Sequence, residues 1–535
     1  GIKGEAAIDR YLNGTLDDLY DPMLLKDMER AVSILCEAVD TGKKIRIVGD
    51  YDIDGVCSTY ILLQAFERLG SDVDFEIPDR IKDGYGINES IIEQAHADGV
   101  EVILTCDNGI SAFHQVELAK KYGMTVVITD HHEVPLDGEK EKIPPADAVI
   151  DPKQADCPYP FPEICGAVVA YKLVQVLYAR RGVPQMEWLD LLEFAAIATV
   201  GDVMKLQDEN RILVKYGLKK MAQTKNLGLR RLAEKNNLDL GAITAYHIGF
   251  VIGPCLNAGG RLKTAKEALA LLRAQSEEEA ERLAEELKEL NDTRKDMTEQ
   301  GTEAAKLQVE SWYQKDKVLV VFLPECHESL AGIIAGRLRE YYQKPAIVLT
   351  RGEEAVKGSG RSIDEYHMFK KLTEVSDLLL KFGGHPLAAG LSLEEKNIDE
   401  FRRRLNENAG LTEEDFKAKV WIDVPMPVGY VTERLVRELS CLEPFGQGNE
   451  KPLFAEKSLR IRASRVLGRN RNVVKMTLEE TDGHAIEALY FGDGTAFEEE
   501  RAGRREIDVV YYPDINEYNG RKTLQAVIRR YKFRG

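Results

Sequence analysis

The sequence predicts an α/β protein of several domains: a parallel-sheet unit, a long connecting helix, a second α/β unit and a C-terminal all-β barrel or sandwich. Three observations predict it. Short β-branched runs alternate with helical patterns through the first third, a charged amphipathic stretch covers roughly Ser276–Lys315, and from about Val420 the chain reads as short strands punctuated by Gly, Asn and Asp.

In the first third, Lys44–Val48, Val73–Ile77, Val100–Thr105, Thr125–Thr129 and Ala148–Ile150 are continuous apolar runs of strand length. Helical patterns such as Cys57–Leu69 and Ala112–Tyr122 separate them. Such alternation implies buried parallel strands with helices on both faces. Ligands of these sheets bind beyond the carboxyl ends of the strands. Residues 161–272 are mainly helical, completing a first domain over 1–272, and 273–315 is the connecting helix. A second alternating unit, residues 316–418, holds Val318–Phe322, a helix through Gly332–Tyr342, Ala346–Thr350 and the Gly-rich segments KGSGRS and FGGHPLAAG. Residues 419–535 form the β tail.

At 535 residues the chain exceeds what one core supports. Hydrophobic residues at 44% and charged residues at 30% fit a soluble globular protein, and no apolar run reaches membrane-spanning length. The opening GIKGEAAIDRYL lacks a signal peptide's basic and apolar regions, and the eight cysteines form no CxxC pairs, so a reduced, cytoplasmic setting is expected. A net charge of −18 gives a nucleic-acid partner no support. Part of that charge sits on the acidic helix Ser276–Glu289, and metal-binding carboxylates count as negative until loaded. Local distribution therefore decides.

Four motifs carry chemistry, each at or near the end of an element. Asp50, Asp52 and Asp54 in GDYDIDG follow the first strand, and so many anions together need cations or a solvated turn. A calcium loop is excluded, because its twelfth position is Ile61 and a strand precedes it. Asp107 lies in TCDNG, by itself a common turn sequence. Asp130, His131 and His132 follow TVVI, and adjacent histidines flanked by carboxylates favour a metal site. Asp202 ends an apolar helix-like run and would alone pass for a cap. Together these Asp and His side chains suit two octahedral cations, Mn2+ or Mg2+, with hydrolysis of a phosphate ester as the natural chemistry.

Asp130-His131-His132, with DYDIDG, CDNG and the later GD, resembles the signature of the DHH phosphoesterase superfamily. The resemblance implies that Asp52 and Asp54 take one metal each, that Asp107 bridges both, and that His131 and Asp202 complete one sphere. It also implies that His132, with Asp130, serves catalysis beside the scissile phosphate and that Asp50 is a ligand or its supporting partner. Further segments narrow the match to single-strand-specific 5′-to-3′ DNA exonucleases of that superfamily: Pro78-Asp79-Arg80 with Gly84-Tyr85-Gly86, the run Gly253–Leu262 with Asn257 and Arg261, and Pro444–Asn449. His327-Glu328-Ser329, Ser359 and Arg361 in GSGRS, and Gly383-Gly384-His385 resemble the DHH-associated substrate-binding domain. Arg80, Asn257, Arg261, His327, Ser359, Arg361, Gly383, Gly384 and His385 would then bind substrate, Arg80 near a 5′-terminal phosphate. The tail would be an oligonucleotide-binding β-barrel. Gly201, where Ala is commoner, and the missing Gly after His327-Glu328 depart from the pattern without removing a ligand.

Elementary chemistry gives these segments jobs. Gly-rich KGSGRS would let backbone N–H groups approach phosphate, with Arg361 adding a bidentate contact, or it is a plain glycine turn. The tail carries Arg460, Arg462, Arg465, Arg469, Arg471, Lys475, Arg521, Lys522, Arg529, Arg530, Lys532 and Arg534. Tyr490, Phe491, Tyr511, Tyr512 and Tyr518 are interleaved among them, to stack on bases or to fill the core, about half in each role. The expected partner is single-stranded DNA, with a single-strand-binding protein and a helicase beside it, in repair and recombination. Rival readings are an enzyme for small substrates, such as short oligoribonucleotides or cyclic dinucleotides, and a non-catalytic nucleic-acid-binding relative.

Overall fold

The structure is a computed structural model describing residues 2–80, 83–518 and 521–534, without the side chains of Tyr518 and Arg521. Those two tail residues therefore lie outside the described side chains. The chain divides into two compact units, a larger one of Tyr20–Asp202 with Gly217–Ala418 and a smaller one of Gly1–Leu19, Val203–Tyr216 and Lys419–Gly535.

The larger unit begins with the expected parallel sheet. Its strands are β1 (Ile45–Val48), β2 (Val73–Glu76), β3 (Val102–Cys106) and β4 (Thr125–Thr129); after a short antiparallel pair, β5 (Leu136–Asp137) and β6 (Lys140–Glu141), comes β7 (Ala148–Ile150). The order is β2-β1-β3-β4-β7 with all neighbours parallel. Strands β1, β3 and β7 are buried along their whole length, which is why they read as apolar runs without alternation. The helix Ile53–Arg68 returns from β1 to β2, and Glu89–Ala97 and Phe113–Lys121 make the next crossovers. The helices Gly166–Arg181 and Leu192–Gly201 are apolar nearly all round and pack against Ile53–Arg68 as interior elements.

A buried carboxylate interrupts that interior. Glu193 is 4% exposed; its Oε1 accepts from Thr224 Oγ1 at 2.7 Å, and Oε2 has no hydrogen-bond partner. Burial pushes its carboxyl from 4.5 up to about 7, against the smaller opposing effect of the Thr224 hydrogen bond. A folded-state pKa above the unfolded value means that the fold holds the proton more tightly. Stability from this group is therefore present below 4.5 and lost as pH rises to about 7. Glu193→Gln is expected to stabilise the protein by up to ~3 kcal/mol at pH 8 and to change little below pH 4.5, read by urea unfolding. An equal effect at both pH values would contradict this.

The connecting helix runs Glu277–Gln308, capped by Ser276, and ends in a π turn, Val309–Tyr313. Ala280, Leu283, Ala284 and Leu287 form its buried stripe, continued by Asn291, Thr298, Thr302 and Ala305. A second sheet follows, with strands β8 (Leu319–Phe322), β9 (Ala346–Arg351), β10 (Val356–Arg361), β11 (Leu379–Gly384) and β12 (Ala388–Leu393) in the order β11-β12-β10-β9-β8. Only β8 and β9 pair in parallel. This sheet corrects one expectation. The KGSGRS segment is no phosphate-cradling loop: most of it is β10, paired on both sides, so its backbone N–H groups serve the ladder. Only its side chains remain for a ligand. FGG belongs to β11, which is a sheet edge.

The smaller unit is built on one mixed sheet: β13 (Val424–Pro425), β14 (Phe454–Leu467), β15 (Val473–Glu479), β16 (Ala485–Phe491), β17 (Glu506–Tyr518) and β18 (Arg521–Phe533). The pairing runs β14-β15-β16-β18-β17 and returns to β14, with β13 added beside β14. Residues 1–19 and 203–216, grouped with the first domain in the sequence reading, pack here instead. Arg211 is the anchor: its guanidinium lies 4.0 Å from the Tyr11 ring and donates to the carbonyls of Tyr11, Cys441 and Leu442. Of the tail aromatics, Tyr511 is core, its hydroxyl donating to the Met426 carbonyl, Tyr490 packs against the same core, and Phe491 is exposed.

Candidate active site

Strands β1, β3 and β4 run side by side, with Val48 opposite Thr105 and Cys106 opposite Thr129. Their carboxyl ends therefore bring Asp50, Asp107 and Asp130 to one edge of the sheet. Asp52 caps the next helix, its Oδ1 accepting from the N–H groups of Asp54 and Gly55 at 3.0 and 3.1 Å. That cap turns Asp54 inward. Asp50 accepts from Gly86 N–H at 3.3 Å through Oδ1, while its buried Oδ2 has no partner. Gly260 on the helix Gly253–Leu262 allows that helix to press on this loop, because a β-carbon there would stand 2.2 Å from the Tyr51 carbonyl oxygen.

The N-terminus of Gly166–Arg181 fixes the next two carboxylates. Gly166 and Ala167 N–H each donate to Asp54 at 2.7 Å, where the helix dipole also favours an anion. A β-carbon on Gly166 would meet Asp107 Cβ at 2.7 Å and Cα at 2.9 Å, so glycine is required there. Asp107 itself sits at φ 61, a left-handed conformation that Asp tolerates better than most residues. His131 points Nε2 at this group, 3.1 Å from Asp107, 3.5 Å from Asp54 and 3.9 Å from Asp202.

Asp130 belongs to none of the metal-ligand groups and is held by donors instead. It accepts from the N–H groups of Ile110, His131 and His132, and its Oδ1 lies 2.7 Å from His132 Nδ1. Burial opposes charge on His132, but the Asp130 hydrogen bond and the surrounding carboxylates outweigh it and bring the pKa up to about 9. The Tyr85 hydroxyl donates to the Asp107 carbonyl at 2.7 Å and lies 3.1 Å from His132 Nε2. It ties the strained Asp107 backbone to His132. Tyr85→Phe is expected to lower kcat about ten-fold, the worth of one hydrogen bond, and to raise the Mn2+ concentration needed for half-maximal rate. A change in KM alone would contradict that positioning role.

Ligand atoms of Asp50, Asp52 and Asp107 lie within 4.8 Å of one another, as do those of Asp107, His131 and His132, and those of Asp54, His131 and Asp202. Burial, then the neighbouring carboxylates, pushes Asp107 and Asp50 well above the usual range and Asp202 up to about 8. Burial also lowers His131, keeping its imidazole neutral. A neutral ring facing three carboxylates, beside carboxylates that resist ionising together, is the electrostatic signature of a site built for cations. Oxygen donors with one or two imidazoles fit Mn2+ or Mg2+.

The remaining candidates belong to none of these ligand groups, and their surroundings differ. Arg80 stacks on Tyr51 at 4.8 Å. Asn257 and Arg261 line a cavity of about 110 Å3 with Gly201 and Arg294. Arg261 donates to the Ser329 carbonyl at 3.1 Å, and His327 Nδ1 is 2.7 Å from Ser329 Oγ. Burial, with Arg80, Arg294 and Arg361 as like charges, brings Arg261 down to about 10. Arg361 donates to Ser359 Oγ and the Gly360 carbonyl. Gly383, Gly384 and His385 are exposed, and His385 N–H closes the β11–β12 turn on the Ala388 carbonyl. Sequence reasoning missed three contributors: Tyr85 as a clamp, the Gly166–Ala167 N–H pair, and Arg294, which bonds Asn291 on the long helix. Arg294 left a signal, since Asn291 interrupts an apolar stripe.

Family models match the chain in order: the DHH family N-terminal domain over residues 44–199, the DHHA1 domain over 315–410 and the RecJ OB domain over 422–530. The chain is 38% identical to the single-stranded-DNA-specific exonuclease RecJ of Bacillus subtilis, over 96% of this chain and 64% of that protein. It is 34% identical to the Escherichia coli protein of the same name, over 99% of this chain and 93% of that one. A crystal structure of RecJ in complex with Mn2+ from Thermus thermophilus superposes with a TM-score of 0.82 at 29% identity, covering 98% of this chain and 75% of that one. Its counterpart in complex with Mg2+ gives 0.76 at 28% identity, over 98% and 72%. With the cation-seeking cluster, the three matched domains and these relatives in agreement, the chain belongs to the RecJ family.

Proposed function

We infer that the chain is an exonuclease specific for single-stranded DNA, acting from the 5′ end by two-metal-ion hydrolysis and releasing 5′-mononucleotides. The observation that carries this reading is the overlap of three ligand groups through Asp107 and His131. Asp52, Asp54, Asp107, His131 and Asp202 would hold two divalent cations, with Asp50 as a further ligand or support. Similar structures from Thermus thermophilus carry Mn2+ or Mg2+. Bound cations would activate water and neutralise charge at phosphorus.

The protein's own groups do the rest. Asp130 orients His132, which holds a proton for an oxygen of the scissile phosphate. Arg80, Arg261 and Arg361 supply positive charge for phosphates, Arg80 for the 5′-terminal one, and mutual repulsion among them is relieved when an anion binds. Asn257, His327, Ser359, Gly383, Gly384 and His385 complete the substrate contacts. Residues 316–418 would hold the phosphate backbone and 419–535 the incoming strand, with exposed Phe491 as a stacking face. A helicase exposing single strands and a single-strand-binding protein keeping them extended would supply such an enzyme in repair and recombination. The eight cysteines are free thiols, in keeping with a cytoplasmic setting, and no helix among the described residues is long and apolar enough to cross a membrane.

The test is product analysis on 5′-phosphorylated DNA with Mn2+. Mononucleotides should leave a single strand from the 5′ end while duplex stays intact. Cleavage confined to short oligoribonucleotides or cyclic dinucleotides would instead identify a small-substrate enzyme.

A further inference from the structure

A cavity of about 580 Å3 opens in the larger unit, within the size range of small-ligand sites. Tyr60 and Arg68, which line it, lie about 12 and 24 Å along their helix from Asp52 at a rise of ~1.5 Å per residue, so it is separate from the carboxylate cluster. Its inner wall includes Glu193, whose buried Oε2 has no donor. Its rim carries Lys220 and Lys225, 2.5 and 3.2 Å from the single carboxylate of Asp190. Two ammonium groups thus share the carboxylate of Asp190, with Glu193 as a second anion that interacts with Lys220. The other two cations at the rim are matched: Arg68 pairs with Glu187 and Arg273 with Glu67.

A buried acceptor at the base and two clustered ammonium groups at the mouth ask for a ligand with an N–H edge at one end and an anion at the other. We propose that this cavity binds a purine nucleoside 5′-monophosphate, guanine foremost, with the base N–H edge on Glu193 and the phosphate at Lys220 and Lys225. Guanine suits it because its Watson–Crick edge offers adjacent N–H donors, which a carboxylate accepts. The proposal rests on the exonuclease reading only for the supply of such molecules, which would be its own products. Two helices join the cavity to the cluster. Ile53–Arg68 carries Asp54 in its first turn and Tyr60 further on, while Leu192–Gly201 carries Glu193 and Phe194 and ends beside Asp202. They meet where Tyr60 packs on Phe194 with ring centroids 4.3 Å apart.

The test is calorimetric titration of dGMP into the full chain in EDTA, which removes cation-dependent binding at the cluster. Saturable one-site binding is expected, weakened about ten-fold by Glu193→Gln and by Lys225→Glu, as for loss of one strong contact. Arg261→Ala should leave it unchanged, and inorganic phosphate, lacking the base, should bind at least ~10-fold more weakly. Lys225 is 83% exposed in its side chain, so its variant keeps the fold. Absence of binding in EDTA, or binding lost in Arg261→Ala and kept in both cavity variants, would overturn the proposal. Glu193→Gln should degrade single-stranded DNA at the wild-type rate without added nucleotide. Failure of the wild type in that assay would count against the exonuclease reading, whereas the titration in EDTA stands independently.

Discussion

Asp107→Asn is expected to reduce hydrolysis of single-stranded DNA by at least ~10^3-fold while leaving strand binding within about two-fold, because cation stabilisation of the reaction is worth several kcal/mol. Asp107 belongs to two of the three ligand groups, so removing its charge disturbs both halves of the cluster. Asparagine is the informative replacement: it is nearly isosteric and accepts the left-handed backbone at φ 61, so the fold is retained. Steady-state kinetics and a strand-binding titration on the same preparation would read the split. Loss of binding in parallel with activity would point to a collapsed site, and a variant above a tenth of wild-type rate would remove Asp107 from its central place.

Gly166→Ala is expected to cost about 100-fold in kcat and several degrees in melting temperature, since overpacking against rigid atoms costs roughly 1–3 kcal/mol. The added methyl would meet Asp107 Cβ and Cα at 2.7 and 2.9 Å, and neither atom can rotate away. Relief requires the helix start to move, and the N–H groups that orient Asp54 move with it. Activity should therefore fall further than stability. A variant with near-wild-type kcat would mean that the helix terminus does not position these carboxylates.

The motifs were legible in the sequence because three of them follow apolar runs whose ends the sheet must expose, and the fourth, at Asp202, ends an apolar helix. DYDIDG, CDNG and DHH lie at adjacent strand ends, and the register of β1, β3 and β4 brings them together as the alternating pattern implies. What the sequence hid was contact between distant segments. Nothing near Gly166 marks it as the residue against which Asp107 packs, and Tyr85 lies in a loop without periodicity. KGSGRS read as a loop because glycine is rare in strands, yet Gly358 and Gly360 sit in β10, where Leu349, Leu391 and Met368 side chains crowd the space a β-carbon would fill. The grouping of residues 1–19 and 203–216 with the C-terminal region depends on the bonds of Arg211, which no local pattern announces.

The most direct measurement is anomalous diffraction from crystals of this protein grown with Mn2+. Two peaks should appear about 3.5–4 Å apart among Asp52, Asp54, Asp107, His131 and Asp202, and the Asp107→Asn variant should lose at least one of them. No peak within reach of Asp107, or a lone ion held elsewhere, would contradict a shared cation pair and the hydrolysis derived from it.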